Sequence, residues 1–397
     1  MQTAAIPPQT QNRSAAIDAA KRRRTALLVV ALTAAVMFLS VCAMTMPYWH
    51  ILGDKLAVDR APSVSTGLPT SKVQLRDWQT RLKGKLAGAL KIDLHRPSAE
   101  HFRVVDDKIV RTLMFDGNMF SCRRQTIQFD SQSGTPGFAY LLLPEMLAAD
   151  AKLPCVICLP GHGAGVDHTV GIDPDGSLMA MWDKTPRDFA LFFACRGYAV
   201  LAIEQAGIGK RAQAPLNLPG LEKAECLFSD AKLRYAGKTS LGERVADVMA
   251  AVDMLQRRKE IDTTRLAVMG LSAGGTTALY SAALDERLKC AIVVSAFSTY
   301  ADSTFRQLQC MCNYVPGLPS LCDSADVAAL IAPRSLFIES GLSDDRFPAR
   351  SAKSAYEKAR AAFVLSGTPA NIAIDFCNHG HRCFFGKEAV KFLAKQL

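Results

Sequence analysis

A serine flanked by glycines is the residue best suited to chemistry in this chain. The pentapeptide Gly270-Leu-Ser272-Ala-Gly274 follows the apolar run 266–269 and precedes 275–284, a run typical of a helix. A strand-to-helix turn of small residues strains the serine backbone and exposes its Oγ. The start of the helix also favours negative charge beside that oxygen. The alternative is a small-residue turn without chemical meaning, but the strand–turn–helix context favours Ser272 as a nucleophile.

A serine nucleophile needs a base and an acid, which in this architecture follow it in the order serine, acid, histidine. Asp344 and His381 meet that order, and each stands just beyond an apolar run typical of a strand. The carboxyl ends of strands are where an open α/β sheet places its site. We therefore predict Asp344, rather than Asp345, as the acid and His381 as the base. His379 is the alternative base, while a metal pair of the two histidines lacks a third ligand at zinc spacing.

The glycine-rich segment 159–165, Leu-Pro-Gly-His-Gly-Ala-Gly, is the candidate oxyanion hole. Backbone N–H groups stabilise an oxyanion, so the glycines matter more than the side chains. We expect one donor from the N–H of His162 and a second from the N–H of Ala273, directly after the nucleophile. A dinucleotide loop is excluded because its last glycine would fall at Val166. The His162 side chain as a metal ligand or catalytic group stays open as an alternative.

Strands and helices, which must position these residues, begin to alternate after Pro154. Apolar runs typical of buried strands lie at 155–159, 198–203, 266–269, 290–294, 335–338 and 372–376. Runs with helical spacing lie between them, at 189–196 and at 240–259, where Ser240 and Glu243 resemble a capping box. Continuous apolar strands interleaved with helices predict an α/β fold with a mostly parallel central sheet and helices on both faces.

Two further patterns precede this alternation. Residues 71–91 have apolar positions at three- and four-residue steps, which predicts an amphipathic helix. Short β-rich runs separated by turn signals follow at 111–115, 125–129 and 138–143. They indicate that the sheet starts with antiparallel strands.

The N-terminal part carries a membrane signal. Residues 25–46 hold no charge and would span about 33 Å as a helix, enough for a bilayer core of about 30 Å. Basic residues 21–24 precede this run, so the positive-inside rule places residues 1–24 in the cytoplasm and the rest outside. The alternative is a signal peptide whose cleavage releases the protein. The sequence thus predicts a tail, a transmembrane anchor or uncleaved signal (25–46), a linker (47–70) and a catalytic domain with an N-terminal helix (71–397).

Composition and charge exclude several classes of protein. With 49% hydrophobic and 21% charged residues, the 397-residue chain is neither disordered nor of low complexity. Part of the net charge of +10 comes from the first 24 residues, and no basic stripe is interleaved with aromatic residues. We therefore expect no nucleic-acid partner.

The twelve cysteines do not follow zinc-ribbon spacing, and Cys310-Met-Cys312 by itself is a weak metal signal. Several cysteines stand in apolar runs, where a free thiol behaves as a small buried hydrophobe. If the domain is exported, disulfides are an open alternative among Cys310, Cys312, Cys322, Cys377 and Cys383.

Five segments together resemble the α/β-hydrolase superfamily, in particular its dienelactone hydrolase and acetyl xylan esterase-like branch. They are LPGHGAG at 159–165, RGYAVLAI with the following GIG at 196–209, GLSAGG at 270–275, SGLSDDRFP at 340–348 and HGH at 379–381. The resemblance covers about residues 70–397. It implies the α/β-hydrolase fold, with Ser272, Asp344 and His381 as nucleophile, acid and base. It also implies hydrolysis of carboxylic esters, often short acyl esters on sugars, with no metal or organic cofactor. Many relatives have His-Gly where this chain has Pro160-Gly161, a departure in the oxyanion loop.

We therefore expect a membrane-anchored, extracytoplasmic serine esterase that cleaves a small-molecule ester through an acyl-enzyme. One alternative is a serine peptidase for short peptides, which would normally need a large gating domain or an amine-recognition cluster. The other is a catalytically silent binding protein on the same fold, although such a protein has no reason to retain all three catalytic residues in order. No segment of the sequence specifies an oligomeric state.

Overall fold

The computed structural model describes a few residues between 21 and 33 and most of the chain after residue 68, in the ranges 69–94, 102–113, 119–131, 134–148, 150–163, 165–172, 188–212, 225–306, 309–382 and 387–397. The chain divides into two compact units, Met1–Leu56 and Ala57–Leu397. Most residues of the predicted anchor 25–46 and linker 47–70 lie outside the described residues, so both stay predictions. Within the described residues, no helix combines the length and the apolar character needed to cross a bilayer.

The second unit is built around one sheet. Its described strands are β1 (Phe102–Leu113), β2 (Met119–Asp130), β3 (Pro136–Pro144), β4 (Leu153–Leu159), β5 (Ala199–Ile203), β6 (Ile261–Leu271), β7 (Leu288–Val294), β8 (Ser335–Gly341) and β9 (Ile372–Cys377). They lie in the order β1-β2-β3-β5-β4-β6-β7-β8-β9. The pairs β1–β2, β2–β3 and β3–β5 are antiparallel, and every pair from β5 onward is parallel. The prediction of a mostly parallel sheet with an antiparallel start is confirmed.

The described α-helices of this unit are α1 (Lys72–Leu90), α2 (Val166–Thr169), α3 (Phe189–Ala194), α4 (Glu225–Tyr235), α5 (Ser240–Gln256), α6 (Ala273–Leu284), α7 (Ser324–Ala329), α8 (Ala349–Ser366) and α9 (Lys387–Gln396). Short 3-10 turns lie at Gly209–Arg211, Met311–Asn313, Leu318–Ser320 and Pro369–Asn371, and a π turn lies at Ala301–Phe305. The amphipathic helix predicted over 71–91 is α1, which buries the predicted apolar positions Leu75, Trp78, Leu82, Leu86 and Leu90.

Hydrophobic side chains cover both faces of the sheet. On β4, Val156 and Cys158 pack into one cluster and Ile157 into the other, because successive residues of a strand point to opposite faces. The cluster around Ile157 includes side chains of α1, α5, α6, α7 and α8, whereas that around Val156 includes side chains of α2, α3 and α9. Coverage on both faces explains why the strand sequences are continuously apolar.

Helix α5 begins one residue earlier than its sequence signal suggests. The expected capping box at Ser240 and Glu243 is wrong, because Thr239 is the N-cap and its Oγ1 accepts the N–H of Gly242 at 3.0 Å. The same hydroxyl donates to the carbonyl of Leu90, at the end of α1, at 2.9 Å. A contact with a distant helix therefore selects the capping residue.

Candidate active site

Ser272 lies between β6 and α6 with φ of 56° and ψ of −119°. Residues other than glycine rarely adopt a positive φ, and they keep it only where the surrounding structure holds them. The N–H of Ser272 donates to the carbonyl of Val294, on the neighbouring strand β7, at 2.9 Å. Its carbonyl accepts the N–H of Thr276 at 2.9 Å, as the first bond of the helix. The predicted strand–turn–helix arrangement around this serine is therefore present.

Glycines make the close packing around Ser272 sterically feasible. A Cβ on Gly270 would lie 2.1 Å from the carbonyl oxygen of Gly274. A Cβ on Gly274 would in turn lie 2.1 Å from the carbonyl oxygen of Leu159, at the end of β4. Both distances are far inside van der Waals contact, so β4, β6 and α6 approach each other only because these side chains are absent.

His381 and Asp344 converge on Ser272 from segments that follow two other strands. Nε2 of His381 is 2.8 Å from Oγ of Ser272, and Nδ1 is 3.0 Å and 3.2 Å from the two carboxylate oxygens of Asp344. Asp344 follows β8 and His381 follows β9. With Nδ1–H donating to the carboxylate, Nε2 is the acceptor for the serine proton. The structure thus brings the three predicted residues together, while Asp345 is exposed.

The carboxylate of Asp344 has fixed surroundings. Its side chain is 0% exposed, and Oδ1 accepts the backbone N–H groups of Arg346 at 2.9 Å and Phe347 at 3.0 Å. The Phe347 ring stacks on the imidazole of His381, with ring centroids 5.8 Å apart and 15° between the planes. Carboxylate and imidazole are therefore both held in orientation before any substrate arrives.

His379, the alternative base, contributes its backbone to the same loop. Its carbonyl accepts the N–H of Ser343 at 3.1 Å and lies 2.4 Å from where a Cβ on Gly341 would be. Burial, followed by the charge of Arg382, lowers the pKa of the His379 imidazole. The imidazole that is hydrogen-bonded to the Ser272 hydroxyl is that of His381.

The loop after β4 runs directly against the nucleophile. A Cβ on Gly161 would lie 3.0 Å from the carbonyl oxygen of Leu271 and 3.2 Å from Cβ of Ser272. Ala273 is the first residue of α6, where N–H groups have no partner within the helix. The backbone N–H groups of His162 and Ala273 stay our predicted oxyanion donors.

Gln205 fastens this loop to the helix that carries the nucleophile. Its Nε2 donates to the carbonyl of Pro160, and its Oε1 accepts the hydroxyl of Thr277, on α6, at 2.6 Å. Gln205 is 1% exposed, so water competes little for these bonds. The sequence offered no signal for this residue, because its role depends on partners in two distant segments.

Glu204 is a buried carboxylate that the sequence analysis also missed. It is 0% exposed and accepts the N–H of Val166 at 3.1 and 3.2 Å and the N–H of Lys210 at 3.0 Å. A Cβ on Gly165 or Gly209 would lie 2.5 Å or 2.2 Å from its oxygens, so both glycines leave room for the carboxylate. Burial raises the pKa of Glu204 to about 7 against the opposing effect of the backbone donors. Glu204 thus ties the loop after β4 to the loop after β5.

Three cysteines cluster with His162, which belongs to the candidate oxyanion loop, residues 159–165. The ligand atoms of His162, Cys226, Cys310 and Cys312 all lie within 4.8 Å of one another. Nε2 of His162 is 3.1 Å from Sγ of Cys312, and Sγ of Cys310 is 3.3 Å from Cys312 and 2.9 Å from Cys226. Hydrogen bonds from Cys226 and Cys310, supported by the charge of Arg244, lower the pKa of the Cys312 thiol. These four side chains could hold a metal ion.

Apart from Cys310 and Cys312, the members of this cluster are far apart along the chain, so no local pattern predicts the full set. Cys226 precedes Cys310 by 84 residues, and His162 precedes Cys312 by 150 residues. The ten cysteines within the described residues are free thiols, so none of the disulfides left open above is present among Cys310, Cys312, Cys322 and Cys377. Cys383 lies outside the described residues.

A cavity lies next to the catalytic residues. The cavity and the open solvent at its mouth together span about 700 Å³, and its lining includes Phe347 and Thr276. Phe347 stacks on His381, and Thr276 stands one helical turn after Ser272 on α6. The other lining residues are Leu241, Leu279, Tyr280, Ala296, Ser298, Tyr300, Ser303, Thr304, Phe305, Gln309, Asn313, Tyr314, Val315, Leu318, Pro319 and Ser324. The lining is mostly apolar and carries no charged side chain, as is common in small-molecule sites.

Comparison with known proteins gives the same fold. The prolyl oligopeptidase family matches residues 230–397. A Bacillus subtilis (strain 168) protein designated a hydrolase, YtaP, is 27% identical over 278 residues, which are 69% of this chain and 88% of that protein. A Bacteroides fragilis NCTC 9343 protein described as an acetyl xylan esterase superposes with a TM-score of 0.63 and 19% identity, over 82% of this chain and 80% of that one. The chain has the α/β-hydrolase fold.

The chain also superposes on a glucuronoyl esterase from Solibacter usitatus, with a TM-score of 0.56 and 15% identity. The superposition covers 84% of this chain and 97% of that chain. The predicted α/β-hydrolase fold is therefore confirmed, and the chain is similar in fold to proteins described as acetyl xylan esterases.

Proposed function

We propose that this α/β-hydrolase is a serine esterase that cleaves short acyl esters, such as acetates, through an acyl-enzyme. The observation that supports this most directly is the hydrogen-bonded series from Oγ of Ser272 to His381 at 2.8 Å and onward to Asp344 at 3.0 Å. The structural neighbours named as acetyl xylan and glucuronoyl esterases support an ester as the substrate.

In the proposed mechanism, Oγ of Ser272 attacks the ester carbonyl carbon while Nε2 of His381 takes its proton. The oxyanion accepts hydrogen bonds from the N–H groups of His162 and Ala273. When the intermediate collapses, the imidazolium returns the proton to the departing alkoxide, and an alcohol leaves. Water then attacks the acyl-enzyme with His381 again as base, which releases the carboxylic acid and restores the serine hydroxyl. Throughout, Asp344 holds the imidazole tautomer and stabilises its charged form.

Catalysis is tested by purifying the full chain in a mild detergent and measuring hydrolysis of short aryl esters. Ser272→Ala should abolish turnover above the detergent blank, whereas Ser354→Ala, at an exposed serine of α8, should leave it unchanged. Equal turnover by Ser272→Ala and the wild type would refute the assignment of the nucleophile. No turnover by the wild type across acetyl to hexanoyl esters would refute the esterase proposal.

The cavity beside Phe347 is our proposed space for an apolar part of the substrate. Thr304→Phe should reduce it, because Thr304 is a half-buried lining residue. We expect this variant to lose kcat/KM for the larger esters of an acyl or alcohol series while it keeps the smallest ones. Thr80→Phe, at an exposed position of α1, is the matched control. An equal loss for every ester would mean that the cavity does not hold the varied group.

A serine peptidase is the second candidate, since the matched family profile is that of prolyl oligopeptidases. That profile covers the segment from α4 to the end of the chain, which also carries the three residues shared by esterases and peptidases. A short peptide presents a charged amine, and no residue lining the cavity is acidic. Hydrolysis of aminoacyl-proline anilides faster than that of acetate esters would favour the peptidase.

We further propose that residues 25–46 anchor the protein in a membrane with the catalytic domain outside the cytoplasm. Basic residues 21–24 and the uncharged run that follows support this orientation. Protease added to intact cells or spheroplasts should digest the domain. Protection until the cells are lysed would contradict the orientation, and release of a shortened soluble protein would favour signal cleavage.

A further inference from the structure

The donor set of the cluster beside the oxyanion loop is that of a structural zinc site. Three thiolates and one imidazole, all within reach of a single point, are a recurrent zinc-binding set. A zinc–sulfur bond of about 2.3 Å in a tetrahedron requires ligand atoms about 3.8 Å apart. The separations here run from 2.9 Å to no more than 4.8 Å and so bracket that value.

The charge of a buried arginine provides independent support. Arg244 is 1% exposed, and its Nη1 lies 3.4 Å from Sγ of Cys312 while its Nε donates to the carbonyl of Ala206 at 3.0 Å. Its Nη2 has no hydrogen-bond partner among the described residues. The buried carboxylate of Asp247 is already paired with Arg211. A buried guanidinium stays charged, so a negative partner on the side where Cys312 lies would stabilise it.

Zinc bound by the cluster would supply that partner. A divalent ion with three thiolates and one neutral imidazole carries a single net negative charge, which the cation of Arg244 balances. We propose that His162, Cys226, Cys310 and Cys312 bind one zinc ion and that this ion holds the oxyanion loop in place.

The four ligands come from three segments that the zinc would join. His162 belongs to the loop after β4, Cys226 to α4, and Cys310 and Cys312 to the segment before and within the Met311–Asn313 turn. His162 uses its side chain in this site, whereas its backbone N–H is our predicted oxyanion donor. Through its side chain, His162 would therefore also position its own backbone N–H. Four protein ligands leave no open position on the ion, so the zinc fixes geometry rather than activating water.

A disulfide is the competing use of these thiols, particularly outside the cytoplasm. A bond between Cys226 and Cys310 would use two of them and release two protons and two electrons to an external oxidant. Cys312 would then remain between His162 and Arg244 without a share in the new bond. Zinc engages all four ligand atoms and needs no oxidant, so the arrangement favours the metal.

The first test measures metal in the full chain, purified in detergent without added chelator. Elemental analysis should find about one zinc per chain. After removal with a strong chelator, added Co²⁺ should produce thiolate-to-cobalt charge-transfer absorption and the d–d bands of a tetrahedral site. The proposal would be overturned if the chain holds no zinc, added Co²⁺ gives no cobalt–thiolate absorption, and mass spectrometry detects a reducible bond between Cys226 and Cys310. Cobalt bands typical of octahedral oxygen ligands would overturn it too.

Variants locate the site without relying on activity. Cys312→Ser and His162→Gln should each weaken zinc affinity at least about tenfold, as should Arg244→Gln, which removes the balancing charge. Cys195→Ser, at a half-buried cysteine outside the cluster, should keep one zinc per chain. If Cys312→Ser retains zinc as tightly as Cys195→Ser does, the assigned ligands are wrong. Variants that fail to fold leave the cobalt titration of the wild-type chain as the deciding measurement. Zinc in a chain without esterase activity would uphold this site and refute only the proposed function.

Discussion

Replacement of Asp344 by asparagine should disable the proposed triad while it leaves the loop intact. The carboxylate accepts hydrogen bonds from three donors, the imidazole of His381 and the backbone N–H groups of Arg346 and Phe347. In Asp344→Asn, the amide oxygen can keep the backbone bonds. The amide NH₂ then faces Nδ1 of the imidazole, which must become an acceptor. The proton moves to Nε2, where the ring no longer accepts the proton of Ser272.

The size of the effect follows from this change of tautomer. A comparable substitution in other serine triads lowers kcat by about 10⁴-fold, which corresponds to roughly 5 kcal/mol of transition-state stabilisation. Little of this should appear as unfolding, because the amide occupies the same buried volume and keeps the backbone donors satisfied. We therefore expect kcat to fall close to the residual rate that the oxyanion hole and substrate binding support without the triad, while KM changes only slightly.

Asp345→Asn is the matched control, because Asp345 is the adjacent residue and is exposed. It should stay within about tenfold of the wild type, as expected for a charge on the surface. Both variants are assayed at saturating ester, and their thermal unfolding is recorded alongside. If Asp345→Asn is the inactive one, or if Asp344→Asn keeps turnover within tenfold, the proposed role of the buried carboxylate is refuted.

Three further predictions concern the supports of the site. The folded pKa of Glu204, about 7, lies above its ordinary value of 4.5, so between these pH values the unfolded chain binds fewer protons than the folded one. The free energy of unfolding should therefore fall by about 3 kcal/mol as pH rises from 4.5 to 7. Denaturant unfolding of the wild type and of Glu204→Gln across this range measures the difference. A parallel pH dependence of the two proteins would contradict this. Gly274→Ala should lower stability by about 1–3 kcal/mol or more and reduce kcat, because its Cβ would lie 2.1 Å from the Leu159 carbonyl, whereas Gly84→Ala, at an open position of α1, should stabilise slightly. Gln205→Ala should lower kcat by about tenfold with little change in KM, since the oxyanion loop loses a tether; an effect on KM alone would contradict that role.

The sheet was predictable because its strands carry a local signal. A strand covered on both faces must be apolar at every position, so runs such as 155–159 and 290–294 are recognisable without knowledge of their neighbours. The spatial order of the strands, in which β5 stands between β3 and β4, is not encoded in any one run. It arises from packing between segments far apart along the chain.

The three candidate catalytic residues were also predictable, for a related reason. Ser272 stands in a strained turn whose small neighbours form a recognisable pattern, and Asp344 and His381 follow strands in a fixed order. By contrast, the N-cap of α5 was missed by one residue, because Thr239 is selected by its bond to the distant Leu90 carbonyl. Glu204 and the full cysteine cluster depend on distant partners in the same way, and the cluster's local signal was limited to Cys310-Met-Cys312.

The candidate oxyanion loop, residues 159–165, illustrates why these unpredicted residues matter. Gly161 allows the backbone to approach Ser272, but a glycine-rich segment also has the largest conformational freedom to lose. Donors that stabilise a transition state must be fixed before the reaction, so the restraint has to come from outside the loop. Gln205 holds its first part through the Pro160 carbonyl, and Glu204 holds its end through the N–H of Val166. His162, between them, is restrained by the cluster at Cys312. The residues that restrain the loop are therefore distant from it in sequence. The sequence of the loop itself specifies only that its backbone can pack close to Ser272.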